Sequence, residues 1–297
     1  MTSFNSLYGN AENQSAVAGI LTPESTPALE KERNTHIIAV TSGKGGVGKT
    51  NIVANLSVSL SELGKKVVVL DADFGLANLD VLLGLTPRYH LGHVLYGDKD
   101  IREIMVQGPE GIQIIPASSG LQRMSELTPP QRNRLIESFD RLDIDTDYFI
   151  IDTAAGISRN VIHFLLSANE VFVVSAPEPT AIVDAYAIIK IILAEDSSKP
   201  IRVIINSVKS ADDAHEVFCQ INSVVKRFLN REIDYLGHIE RDSHVRRAVK
   251  SQALVTQRFP QAPASRCFRA LARRIAQMEN PVYEGLIWEK FINGWIN

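Results

Sequence analysis

The chain has only two cysteines, Cys219 and Cys267, in 297 residues. That is too few for a disulfide framework or a cysteine-built metal cluster. Both read as buried thiols of a reducing compartment, which points to the cytosol. Its seven histidines, His36, His90, His93, His163, His215, His238 and His244, are scattered without metal-ligand spacing, so no zinc site is expected. Ser42 and Ser118 lack the partners of a nucleophilic triad. No apolar run reaches the roughly 18–20 residues that span a bilayer, and the N-terminus lacks the basic-then-apolar order of a signal peptide. With 45% hydrophobic and 22% charged residues, a disordered or coiled-coil chain is excluded. One large α/β core is the expectation.

Residues 1–35 are polar, carry Pro23 and Pro27 and show no sustained period; they read as an arm, with at most a short helix around Ala11–Leu21. From His36 the pattern alternates. Short apolar runs at His36–Val40, Lys65–Leu70, Ile112–Ile115, Tyr148–Ile151, Val171–Val174, Val203–Ile205 and Ile233–Ile239 predict strands. Helical spacing at Thr50–Leu63, Pro130–Arg141, Ser158–Ser167, Ala181–Leu193 and Ala214–Leu229 predicts helices between them, followed by helices at Val245–Lys250, Ser265–Met278 and Tyr283–Ile296. Strands apolar throughout and separated by helices imply a mostly parallel, twisted sheet covered on both faces.

The strongest local signal is Gly43-Lys44-Gly45-Gly46-Val47-Gly48-Lys49-Thr50, which fits the P-loop pattern between a strand and a helix. The glycines let backbone N–H groups converge on phosphate oxygens at a helix N-terminus. Lys49 should reach the β- and γ-phosphates of ATP, and the Thr50 hydroxyl should ligate Mg²⁺. Lys44 is not required by an ordinary P-loop; its charge sits at the loop mouth, either solvated or able to cross to a nucleotide held by a second subunit. Asp71 and Asp73 follow one apolar run and Asp152 ends another, at the strand ends where open parallel sheets bind ligands. Asp152 suits a Walker B aspartate holding Mg²⁺.

These residues resemble the deviant Walker A motif of the MinD/ParA ATPases, and the resemblance extends from about residue 36 to 255. It implies a P-loop NTPase fold over residues 36–280, a slow, Mg²⁺-dependent ATPase that binds ATP and ADP, and an ATP-sandwiched homodimer in which Lys44 binds the partner's nucleotide. By the resemblance Asp71 and Asp73 fall in switch I, where Asp73 orients or activates the attacking water and Asp71 supports the Mg²⁺ shell, and Asp152–Gly156 forms switch II. By the same resemblance Glu178 lies near the ribose and Asn206 contacts adenine. The family's Gly-x-Ile-Pro-x-Asp base loop stands here as Gly237-His238-Ile239-Glu240-Arg241-Asp242, with Glu240 in the proline's place, so backbone contacts from Ile239, Glu240 and Arg241 are expected. Asp73-Phe74-Gly75-Leu76-Ala77-Asn78-Leu79-Asp80-Val81-Leu82-Leu83-Gly84 is similar to MinD and its flagellar relatives. Leu83–Pro87, Asp152–Ile157 and Glu178–Tyr186 are similar to the flagellar-number regulators (FlhG, FleN, YlxH). That branch implies control of flagellar number or placement through an FlhF-type GTPase, a flagellar transcription activator and flagellar switch proteins. The arm departs from those regulators. Glu12-Asn13-Gln14-Ser15-Ala16 is the nearest stretch to their GTPase-activating element, and no Leu-Arg follows it. A ParA-like partitioning ATPase acting on DNA, a MinD-like division-site regulator and an idle scaffold are the alternatives.

Two features bear on location. From Arg241 to Gln277 there are nine basic residues and one acid, Asp242, within a chain of net charge −3; the segment is either a solvated face or a surface for an anionic partner. In the C-terminal segment 281–297, Ile287, Trp288, Phe291, Ile292, Trp295 and Ile296 share one side of a helical wheel. Such a helix binds a membrane–water interface, or else packs on the protein's own surface or at a dimer seam. By resemblance it is a membrane-targeting helix, giving a cytoplasmic protein that associates reversibly with the anionic inner face of the cell membrane.

Overall fold

In the computed structural model, residues 35–74, 78–117, 128–140, 142 and 145–278 are described. The arm, apart from Thr35, and the C-terminal amphipathic helix lie outside them. Eight strands form one sheet: β1 (His36–Thr41), β2 (Val67–Ala72), β3 (Val106–Gln107), β4 (Gln113–Ile115), β5 (Tyr148–Thr153), β6 (Glu170–Ser175), β7 (Ile201–Val208) and β8 (Asp234–Glu240). Their order is β3-β4-β2-β5-β1-β6-β7-β8. All neighbours run parallel except β3, which pairs antiparallel with β4 at one edge.

The helices are α1 (Lys49–Ser61), α2 (Leu79–Leu83), α3 (Leu91–Tyr96), α4 (Ile101–Ile104), α5 (Pro129–Asp140), α6 (Arg159–Ser167), α7 (Pro179–Glu195), α8 (Ala211–Leu229), α9 (Ser243–Lys250), α10 (Val255–Arg258) and α11 (Pro263–Ala276). Strand side chains alternate between faces, and β1 shows the result. Ile37 and Ala39 enter one core with Phe164 of α6, Ile188 of α7 and Val217 of α8. Ile38 and Val40 enter the other with Ile52 and Leu56 of α1 and Phe268 and Leu271 of α11. Every residue of β1, β2, β5 and β6 is buried, as expected of central parallel strands roofed on both sides.

The predicted fold class holds. Among the described residues, β1, β2, β5, β6, β7 and β8 all end later than their apolar runs suggest, several through residues expected at the site. β2 includes Asp71, β5 includes Asp152 and β7 includes Asn206. Polar residues do not read as strand, but the ladder continues through them. The short elements α2, α3, α4 and α10, of four to six residues, were not expected. They complete too few turns to show a helical period. No described helix is long and apolar enough to cross a membrane.

Candidate functional site

The chain leaves the central strand β1, turns through Ser42–Gly48 and enters α1 at Lys49. Gly48, the N-cap, has φ +91°, a left-handed conformation that side chains disfavour. A Cβ there would also strike Asn206 Nδ2. That amide donates to the Val47 carbonyl at 2.6 Å, so β7 holds the loop from across the sheet. Gly43 is fixed for a different reason: a Cβ would overlap the Asp184 main chain of α7. Gly45 and Gly46 open onto free space. With Lys44, Val47 and Gly48 they line a cleft of about 650 Å³, whose far wall includes Glu178, Asn206, Ile239, Glu240 and Arg241. Lys44–Gly48 of the loop thus share one cleft with Glu178, Asn206 and Ile239–Arg241, while Gly43, Lys49 and Thr50 are not among its lining residues.

Lys49 opens α1, and the acids lie at the adjoining strand ends. Lys49 Nζ is 2.5 Å from Asp152 Oδ1, and both side chains are buried. The Thr50 side chain also hydrogen-bonds Asp152. Burial pushes the Asp152 carboxyl above the usual carboxylate range, against the pull of Lys49 and Thr50. Register explains its closeness to Asp71. β5 lies between β1 and β2, and Asp71 pairs directly with Asp152. Burial and the Asp152 charge push Asp71 up to about 7. Its two oxygens accept the Asp73 N–H at 3.1 Å and the Leu79 N–H at 3.4 Å, so it shapes the turn that carries Asp73 as well as facing Asp152. The Asp73 charge is felt by both other acids. One hydroxyl and three carboxylates make an all-oxygen donor set, which fits Mg²⁺.

Lys44 is bound within its own chain, to Glu178 Oε2 at 2.9 Å and Thr180 Oγ1 at 3.2 Å. The two side chains of this ion pair are 41% and 61% exposed, so it contributes at most about 1 kcal/mol. Glu178, expected near a ribose, here holds the loop lysine. Beyond β5, Gly156 donates its N–H to the Ser42 carbonyl at 2.9 Å, one bond joining the expected switch II to the start of the P-loop.

Asp242, the end of the base-loop motif and the one acid of the basic segment, has a structural task. Its carboxylate accepts the His244 N–H at 2.9 Å, capping α9, and the Ala264 N–H at 3.2 Å in the first turn of α11. Burial opposes its charge, but these donors and the His244 ring prevail and hold it below the usual range. The α9 cap is legible in the sequence as Asp before a helical run; the reach to Ala264 is not. Asp242→Ala should therefore lower unfolding stability by about 2 kcal/mol, read by urea denaturation; a loss under about 0.5 kcal/mol would mean that the cap is replaced. Arg241 and Arg246 line the cleft, Arg269 pairs with Glu62 at 2.9 Å and Arg274 donates to the Leu236 carbonyl at 2.8 Å. Arg247 lies over the Phe259 ring, 4.9 Å from its centroid, so five of the nine basic residues have tasks within the molecule.

A family model described as an AAA domain matches residues 35–208. The antiactivator FleN of Pseudomonas aeruginosa is 44% identical over 239 residues, covering 80% of this chain and 85% of that protein. The flagellum site-determining protein YlxH of Helicobacter pylori is 35% identical, covering 78% and 79%. The septum site-determining protein MinD of Pyrococcus horikoshii, solved with Mg-ADP, superposes with a TM-score of 0.67 at 25% identity, covering 82% and 96%. The chain belongs to the MinD/ParA family of P-loop ATPases. Within that family it is most like the flagellar regulators. As a MinD/ParA ATPase it carries the second lysine, Lys44, at the cleft mouth, and Lys49 against a buried strand-end aspartate.

Proposed function

We propose that this ATPase is a nucleotide switch that limits flagellar number or position. It dimerises with ATP, hydrolyses it slowly, and in the dimer binds the anionic inner surface of the membrane through residues 281–297. The carrying observation is Lys44: a cation at the cleft mouth, held by one weak and exposed ion pair, can exchange Glu178 for phosphate oxygens of a partner's nucleotide. Backbone N–H groups of Gly45–Gly48 and Lys49 bind the triphosphate, and Ile239–Arg241 with Asn206 bound the base side. Thr50 and Asp152 would hold Mg²⁺, with Asp71 behind them. The metal supplies charge neutralisation at the phosphates. Asp73 orients the attacking water, and its closeness to two other acids suits positioning better than strong basicity. FleN's name supports a transcription activator as one partner, and YlxH's name supports a role in flagellar placement. An FlhF-type GTPase and flagellar switch proteins complete the proposed set. DNA is the second choice, since part of the basic segment is already engaged.

The membrane step has a direct test. Six apolar side chains in 287–296, partly inserted, give several kcal/mol at about 0.8 kcal/mol per buried CH₂, which is reversible binding rather than anchoring. Two such helices in an ATP dimer add by avidity. The full chain should therefore co-sediment with anionic vesicles mainly with ATP. Removal of residues 283–297 should abolish that while leaving ATPase activity measurable, and in cells it should alter the number of flagella. Equal sedimentation with ATP and ADP would refute the switch. No sedimentation in either state would instead favour a helix packed on the protein.

A further inference from the structure

At the sheet edge opposite β3, the last strand and the last described helix bring together three side chains of a different chemistry. His238 and Glu240 of β8 and Cys267 of α11 offer one donor atom each, all within 4.8 Å of one another. We propose that they form a transition-metal site, with Zn²⁺ as its ion, separate from the Mg²⁺ position at the P-loop.

The backbone explains why they meet. Gly237 has φ +150°, and a Cβ there would strike Leu271 of α11; the missing side chain lets the helix close on the strand. Arg274 pins the same contact through the Leu236 carbonyl at 2.8 Å. Cys267, Leu271 and Arg274 are spaced four and three apart, so they share one helix face. Packing Leu271 on Gly237 therefore carries Cys267 to the strand end. His238 and Glu240 are two residues apart on β8, the edge strand, where no further strand covers them.

The donor set selects the ion. Imidazole and thiolate favour Zn²⁺ over Mg²⁺ or Ca²⁺, and one carboxylate completes three protein ligands with a fourth position for water. Adjacent donors in a tetrahedral zinc site are roughly 3.5 Å apart. All three side chains are only partly buried, so rotamer adjustment can close the difference and an ion has a path in. The Tyr235 hydroxyl lies 3.0 Å from His238 Nδ1, a contact that orients the ring. On binding, Cys267 gives its thiol proton to solvent and ligates as thiolate. Glu240 also lines the nucleotide cleft, so the ion would tie the base-side loop to α11. A second pair, Cys219 Sγ and His215 Nε2 at 3.5 Å on α8, offers two donors rather than three and is the natural control.

The test uses the full chain, stripped with chelator and free of nucleotide, titrated with Zn²⁺ against a chromophoric competitor and with Co²⁺ as a spectroscopic probe. One equivalent should bind, with a thiolate–Co²⁺ charge-transfer band. Cys267→Ser and His238→Ala should each weaken binding at least tenfold and Cys267→Ser should remove the band, whereas Cys219→Ser and Asp152→Asn should keep both. In the wild-type chain, Zn²⁺ should also slow alkylation of Cys267, mapped by mass spectrometry, a readout that needs no variant to fold. Undiminished binding in Cys267→Ser, loss in Cys219→Ser or Asp152→Asn, or unslowed alkylation would each overturn the site. Because no nucleotide is present, any of these results would leave the ATPase reading intact.

Discussion

Asp73→Ala is expected to bind ATP as the wild-type chain does and to lose turnover by about 10²–10⁴-fold. Asp73 lies beyond the end of β2 and is not among the residues lining the cleft. Its backbone N–H donates to Asp71, a bond that alanine retains. The side chain's proposed task is to orient water, an interaction gained on the way to the transition state. Its loss therefore lowers the rate constant rather than nucleotide affinity. Fluorescent-nucleotide binding and steady-state phosphate release separate the two. The variant should also accumulate as an ATP-bound dimer on size exclusion. Wild-type turnover would remove Asp73 from the mechanism.

Lys44→Ala should bind ATP yet fail to dimerise. Within one chain the mutation removes an exposed pair with Glu178, at a cost of at most about 1 kcal/mol. Across a two-fold dimer it removes two symmetric lysine–phosphate contacts. Truncating one partner of a desolvated charge pair costs about 2–5 kcal/mol, so association should fall by about a thousandfold or more. Lys49→Ala is the contrast: it strips the cation from buried Asp152 and should weaken nucleotide binding itself. Size exclusion with a non-hydrolysable ATP analogue decides; wild-type dimerisation of Lys44→Ala would confine that lysine to its own chain.

The P-loop was legible because its constraints are local. Glycines at fixed spacing, a strand before and a helix after are all set within about fifteen residues, and Gly48 is required by its own φ angle. The alternation of apolar runs and helical periods likewise gave the parallel sheet, since side-chain period follows from backbone geometry alone. Asp152 could be placed at a strand end for the same reason, though the strand itself runs past it.

Relations between distant segments were not legible. That Asp71 stands beside Asp152 depends on β5 inserting between β1 and β2. That Lys44 rests on Glu178 depends on the ends of β1 and β6 being neighbours. The bond from Asp242 to Ala264 and the approach of Cys267 to His238 and Glu240 depend on α11 folding back over the edge strand. The sequence pattern argued against any zinc site, because ligand spacing along a chain reports only ligands within one local element. Of the three donors proposed as a site, two come from a strand and the third from a helix, brought to it by a glycine whose missing side chain permits the contact. Periodicity and φ preferences act along the chain and are written in it. Strand order, register and helix packing minimise the free energy of the whole core at once, so the neighbours they create have no signature in either segment.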